Sequence, residues 1–330
     1  MDNSTRLPLL RLPFLAIDAV LSLMIPFELI NLSKASTACK LIVKSFSKNR
    51  IHKNFSIGVI IGKPAIRFTR NQVHYSLEIT DDIDKEGTLY VDDENYRRIE
   101  YTYVYSNGEN RMKKCMNVFM DIKHVFNVDL DYCILCLSNF KDLHETILDW
   151  LIANFKSTAL LSLYPREEPV ALVEHTLNSL KMVTSLHITD ETTANCAYSI
   201  PDHIERLNLE YGEWITLEHL LSFKASEIYI LRSKITNEDL NVLLKSWMKM
   251  ESLQQVTSLS INLFNPDNFD SVLEDIPHRI GHPDRILDGD PEYEQLNGGF
   301  DIERKDGVVA SIFVQRGPEF YLMLMEQVSE

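Results

Sequence analysis

No serine-hydrolase, zinc-protease or dinucleotide signature occurs in this sequence: G-x-S-x-G, H-E-x-x-H and G-x-G-x-x-G are all absent. A catalytic role therefore has no visible carrier, and the chain is expected not to be an enzyme, with no catalytic residue and no cofactor. Isolated Ser, His and Asp residues are too many to pair from sequence, so an enzyme with an unrecognised site remains a third alternative. Paired cysteines are also lacking. Five are present (Cys39, Cys115, Cys133, Cys136 and Cys196), an odd and scattered set in a chain too long to need disulfide staples. This pattern points to a reducing compartment, cytoplasmic or nuclear. Cys133-Ile134-Leu135-Cys136 has half of a zinc-site spacing but no second pair at a suitable distance, and its apolar setting marks it as core. No metal site is expected.

Positive charge is scarce beyond the first fifty residues. The net charge is −15; residues 1–50 carry seven Lys/Arg against three Asp/Glu, which leaves −19 on the rest. Such a field repels phosphate backbones and argues against nucleic acid as a partner, while the basic head suits an acidic protein. Nor is there a run long enough for a membrane. The apolar stretch Leu12 to Ile25 falls short of the about 20 residues a bilayer requires, and Asp18 interrupts it. Arg6 and Arg11 before it give it some likeness to a signal peptide, but no small-x-small cleavage site follows closely. The sequons at Asn3, Asn31 and Asn54 carry no weight without secretion. Three weaker motifs also fail. Gly58-x3-Gly62-Lys63 is one residue short for a phosphate loop and runs into Pro64. His278 and His282 are broken by Gly281 and Pro283, and Asp284, Asp288, Asp290, Glu292 and Glu294 lack the calcium-loop spacing.

What is present is ordinary globular material, 45% hydrophobic and 25% charged, enough for a small module plus one domain. The first fifty residues read as three helices. Pro13 opens the first, from Leu12 to Met24, whose only polar residues, Asp18 and Ser22, share one narrow stripe. Pro26 stops it and opens a second, to Ala35, and a third runs from Thr37 to Phe46. A unit of about forty residues cannot cover a helix that is apolar nearly all round. The surplus face meets either the rest of the chain or a separate partner.

The stretch LPLLRLPFLAIDAVLSLMIPFELINLSKASTACKLIVKSF resembles the F-box, in its Leu12-Pro13 helix start, its Pro-led second helix with Leu29 and Leu32-Ser33, and its Ser36-Thr37-Ala38-Cys39-Lys40. It looks especially like the large nematode F-box family with a type-two F-box-associated domain. The resemblance implies docking onto an Skp-family adaptor, which in turn holds a cullin. It places the adaptor contacts at Leu12, Pro13, Ile17, Val20, Leu21, Leu29, Leu32 and Cys39. One departure stands out: many F-boxes carry a Trp where this chain has Leu41-Ile42.

Strands are expected at 55–61, 65–69, 73–80, 88–91 and 99–105, the last running into the hairpin-turn signal Asn107-Gly108. The tyrosines 101, 103 and 105 then cover one half-buried sheet face. Helical patterns follow at 116–126 and 143–155. Then Val183–Ile188, Ile204–Leu209, Ala225–Ile230 and Val256–Ile261 repeat the pattern apolar-x-x-apolar-x-apolar, their starts spaced 21, 21 and 31 residues. Helical patterns at 217–223 and 236–250 lie between them, the second opened by the capping box Thr236-x-x-Asp239. Strand–helix units at this spacing resemble degenerate leucine-rich repeats. Their outward row is Ser185/His187, Arg206/Asn208, Glu227/Tyr229 and Ser258/Ser260, with His187, Arg206, Asn208 and Tyr229 as candidate target contacts. The Gly298-Gly299 stretch, with strands at 308–314 and 320–324, looks like the end of the family's associated domain.

The expected architecture is α+β: a three-helix F-box at 7–50, then a β-rich segment and an irregular leucine-rich-repeat-like domain at 51–330, closed by a C-terminal hairpin. The expected role is a substrate receptor of a Skp–cullin–F-box ubiquitin ligase, with adaptor, cullin and an unknown protein target as partners and neither nucleic acid nor membrane among them. The alternative is a structural scaffold whose N-terminal helices only cap the solenoid.

Overall fold

The computed structural model describes residues 9–48, 51, 55–70, 73–92, 98–139, 141–154, 160–189, 191, 197–263, 265–281, 294–316 and 320–326. His282 and the acidic residues from Asp284 to Glu292 lie outside them, as does Cys196. The chain forms two compact units, one of Met1–Leu135 with Glu145–Ser157, the other of Cys136–His144 with Thr158–Glu330.

The first unit opens with α1 (Phe14–Ser22), α2 (Pro26–Ala35) and α3 (Thr37–Ser47), as the sequence predicts. Pro26 occupies the first turn of α2, where its missing N–H costs nothing. The Glu28 carboxylate takes the Ile25 N–H at 3.0 Å, and Ser36 Oγ accepts from Cys39 N at 3.1 Å to start α3. A sheet follows, built from β1 (Ser56–Ile60), β2 (Ala65–Arg70), β3 (Val73–Thr80), β4 (Gly87–Asp92), β5 (Arg98–Tyr105) and β6 (Tyr132–Cys136). Their spatial order is β6-β1-β2-β3-β5-β4. Gly58 serves a close approach and no phosphate: a Cβ there would stand 2.1 Å from the Tyr132 ring.

Two helices, α4 (Arg111–Phe126) and α5 (His144–Asn154), complete the elements of this unit. Asn107-Gly108 does not make the expected hairpin. Both residues have positive φ, but the chain leaves the turn into α4, where Asn110 Oδ1 accepts from Met112 N and Lys113 N. That cap commits the next turn to helix, and β5 instead pairs parallel with β3 and antiparallel with β4. The core gathers around Phe68, which meets Phe27 of α2 and Phe126 of α4 edge-on at 5.4 and 6.0 Å. The rings of Tyr101 and Tyr103 stack at 5.7 Å on the opposite, half-buried face.

The second unit carries a parallel ladder of β7 (Leu160–Tyr164), β8 (Ser185–Ile188), β9 (Arg206–Leu209), β10 (Glu227–Ile230) and β11 (Ser258–Asn262). Three helices lie between these strands in the chain: α6 (Val170–Ser179), α7 (Leu217–Ser222) and α8 (Asn237–Met248). The register aligns Leu161, Leu186, Leu207, Ile228 and Leu259 in one row and Leu163, Ile188, Leu209, Ile230 and Ile261 in the next. None of the ten is more than 2% exposed. Neighbouring strands stand about 4.8 Å apart, so each row is a continuous apolar seam. The strand β7 escapes the repeat pattern because Thr158 stands where the other segments begin with an apolar residue.

Beyond β11 the strands turn antiparallel. The order runs β11, β15 (Phe320–Glu326), β14 (Val309–Arg316), β13 (Glu294–Glu303) and β12 (Arg279–Ile280). The register of β13 shifts between Leu296 and Phe300, and Gly299 in that bulge has φ +72 and lies where a Cβ would stand 2.8 Å from the Ile312 carbonyl oxygen.

Two asparagines of α8 clip the 3-10 segment Pro266–Leu273. Asn237 Nδ2 donates to the carbonyls of Asn265 and Asn268, and Asn241 Nδ2 to those of Val272 and Glu274, all at 2.8–2.9 Å. Each substitution, Asn237→Ala or Asn241→Ala, is expected to cost on the order of 1–3 kcal/mol, because carbonyls held by a buried side chain lose their donor. Urea unfolding checks the sum. An unchanged midpoint for the double variant would show that the clip adds nothing.

Candidate functional site

Two surfaces are left open, one on each unit. On the first unit the three helices turn part of their apolar inventory inward. Ile17, Leu21, Leu29 and Cys39 are buried at 8, 1, 2 and 8% exposure, with Val43 at 0% between them. Leu12, Val20 and Leu32 are half-buried and Pro13 is exposed. Thus four of the eight contact positions implied by the resemblance serve the unit's own interior.

The apolar residues that face outward are different ones. Leu10, Phe14, Leu15 and Leu23 are 44, 74, 79 and 85% exposed, and Leu41 on α3 is 64% exposed. The spacing in the sequence could have found them only as the complement of the buried stripe Ile17/Leu21. Lys34 of α2 reaches Asp121 of α4 at 3.2 Å, and Lys44 Nζ of α3 lies 3.3 Å from His124 Nε2 of α4.

On the second unit the open face of the ladder holds the candidate target contacts. Register sets Ser185, Arg206, Glu227 and Ser258 in one row and His187, Asn208, Tyr229 and Ser260 in the next. Arg206 and Glu227 are exposed, His187, Asn208 and Tyr229 half-buried, and Ser260 buried. The structure therefore brings all four candidates onto three adjacent strands of one face.

His187 Nε2 lies 3.0 Å from Glu210 Oε1, and Thr189 Oγ1 donates to the other oxygen of the same carboxylate. Burial holds the Tyr164 phenol above its ordinary range, and the Glu210 charge adds to that shift. Asn208 Oδ1 is closed off without a hydrogen-bond donor among the described residues. Next to this cluster the Arg232 guanidinium sits 4.4 Å over the Tyr211 ring. Glu210, Thr189, Tyr211 and Arg232 fall just past the repeating segments, which is why the repeat pattern did not single them out.

Cys133 and Cys136 lie in the core of β6 and its end, and burial pushes the Cys133 thiol up. Burial likewise pushes the Cys115 thiol up to about 12, so it holds little thiolate at neutral pH. Among the described residues no group of three His, Cys, Asp or Glu could hold a metal ion. Nor is any described helix long and apolar enough to cross a membrane.

Comparison with known proteins adds two likenesses. A family model described as F-box associated matches residues 199–261, which span β9, α7, β10, α8 and most of β11. The Skn-1 dependent zygotic transcript 15 protein of Caenorhabditis elegans is 24% identical over 349 aligned positions, covering 92% of each chain. No solved structure matches.

Proposed function

We propose that this chain, which is similar over residues 199–261 to the F-box-associated family and over most of its length to a Caenorhabditis elegans protein, is the substrate-recognition subunit of a Skp–cullin–F-box ubiquitin ligase. The observation that carries the proposal is the set of bare apolar side chains on the N-terminal helices, Phe14, Leu15 and Leu23 above all, at 74–85% exposure. Large apolar side chains left in water on one small unit are material for a partner site. The Skp-family adaptor covers it and brings the cullin. The ladder of the second unit, taken as leucine-rich-repeat-like, offers its polar rows to the target protein. The chain then acts by proximity, holding a target lysine near the ligase's charged enzyme at high effective concentration.

The test is co-purification of the full chain with an Skp-family adaptor. The variant Phe14→Asp/Leu15→Asp/Leu23→Asp is expected to lose capture by about 30-fold or more, since each central apolar anchor of an interface carries about 2 kcal/mol. Its melting temperature is expected to stay unchanged, because these side chains touch little of their own chain. Undiminished capture would rule the proposal out. Leu21→Asp is the wrong probe: at 1% exposure it would break the fold.

One observation favours the structural alternative. The helices α1–α3 belong to one compact unit with a sheet, through contacts such as Phe27 on Phe68. Were they only a structural part of that unit, the adaptor would ignore parent and triple variant alike.

A further inference from the structure

A third opening lies at the rim of the first unit's sheet. There β4 (Gly87–Asp92) pairs with β5 along one side and with no other strand among the described residues. Every second residue of such a strand turns its backbone N–H and C=O outward, a template for one more strand. The usual protections of an edge are missing. β4 has no proline and no lysine, and its register with β5 runs from Gly87 to Asp92 without a bulge. Leu89 on this edge and Ile83 just before it are 52 and 61% exposed.

Register also fixes what a new strand would meet. Leu89 stands opposite Tyr101 and Gly87 opposite Tyr103, with Glu78 of β3 on the far side of Tyr103. The two tyrosine rings stack 17° from parallel. Burial holds the Tyr103 phenol above its ordinary range, and the Glu78 charge and Tyr101 add to that shift, so the ring stays neutral beside a carboxylate. A Cβ at Gly87 would meet nothing within 4 Å, so the way over Gly87 to the Tyr103 ring is open. An added strand lies two strand spacings from β5, about 10 Å. A long basic side chain spans that gap to the face of the ring. Charge points the same way. Residues 81–92 carry five Asp/Glu against Lys85 alone. Asp81 pairs with Arg111, Asp82 with Lys85, and Arg98 stands opposite Asp92. Asp84 and Glu86, at the Gly87 end, have no ion pair among the described residues. The same acids disfavour a second copy of the chain. Antiparallel pairing of two β4 strands would crowd them against the other copy's Asp92 at both ends.

We infer that the edge of β4 binds an extended basic peptide of a separate protein as an added antiparallel strand, with an arginine laid over Gly87 and Tyr103 and an apolar residue two positions earlier beside Leu89. The site uses neither the bare residues of α1 and α3 nor the polar rows of the ladder, and does not depend on the ligase assignment.

Fluorescence polarisation of the full chain with the peptide Val-Thr-Val-Thr-Arg-Thr-Arg, carrying an N-terminal fluorescein, tests it. Saturable binding is expected. The peptide with Glu for both Arg, and the Arg peptide on the Asp84→Lys/Glu86→Lys chain, are expected to bind about tenfold more weakly or worse, because attraction turns to repulsion. Asp84 and Glu86 are exposed, so circular dichroism of that variant should match the parent. Two N-methylated peptides isolate the backbone pairing, one methylated at odd positions and one at even. One set turns toward β4 and should abolish binding; the other turns to solvent and should leave it within about threefold. Absence of saturable binding would overturn the inference. So would equal binding of the Glu peptide, undiminished binding by the variant chain, or an equal effect of the two methylated sets. A dimer of the parent chain that Leu89→Lys splits would give the edge to a second copy and overturn it as well.

Discussion

Phe68→Ala is expected to destabilise the unit carrying the N-terminal helices by about 3–5 kcal/mol, the usual cost of emptying a buried phenylalanine site. The site has little room to collapse. Phe68 is 0% exposed and meets Phe27, Phe55 and Phe126 edge-on, at 5.4, 6.0 and 6.0 Å with interplanar angles of 85°. Each such pair adds about 0.5–1.5 kcal/mol beyond its buried area, which places the loss toward the upper end. The three partners come from α2, from the segment before β1 and from α4, so one ring ties helices to sheet.

Hydrogen exchange should therefore show α2, α3 and β2 losing protection together. A fall below about 1 kcal/mol would mean that Phe68 is not the hub its contacts suggest. Exchange confined to β2 would mean that the helices hold together without the sheet.

Ile228→Asp is expected to unfold the second unit, while Tyr229→Ala, one residue on, leaves it folded. Ile228 is 2% exposed and lies between Leu207 and Leu259 on adjacent strands of the apolar seam. A carboxylate there has no partner, and burying an unpaired charge costs about 4–5 kcal/mol or more. Tyr229 points the other way, into the half-buried row between Asn208 and Ser260. Its truncation should cost about 1 kcal/mol, an ordinary surface-side loss.

Thermal melts of the two variants decide the matter. If Tyr229→Ala proves as damaging as Ile228→Asp, the ladder is buried on both faces and cannot present a docking row. The folded Tyr229→Ala chain then serves in proximity labelling in cells. Proteins recovered by the parent and not by the variant are targets held on this face; identical recovery would remove Tyr229 from the target site.

The three N-terminal helices were legible because proline and serine punctuate them: Pro13, Pro26 and Ser36 each stand at a start that the structure reproduces. The ladder was legible because alternation with period two in four segments could be satisfied only by strands in common register. Leu186, Leu207, Ile228 and Leu259 align as the pattern requires. Failure came where a local signal had two outcomes. Asn107-Gly108 suits a tight turn of either exit, and Asn110, three residues on, caps a helix where a return strand was expected.

The sequence by itself determined that α1 has more apolar surface than forty residues can cover, since that follows from composition and spacing alone. It also determined which face of each ladder strand is apolar. Tertiary structure alone decided which side of α1 stays bare. Nearly every position of that helix is apolar, so periodicity carries no phase, and the direction is set by the packing of α1 on α3. Ile17 and Leu21 turn inward against that contact, and Phe14, Leu15 and Leu23 are left in water. The grouping of His187, Thr189 and Glu210 likewise needed the folded chain, because neighbours across a parallel ladder are set by register between segments some twenty residues apart, which local sequence does not encode.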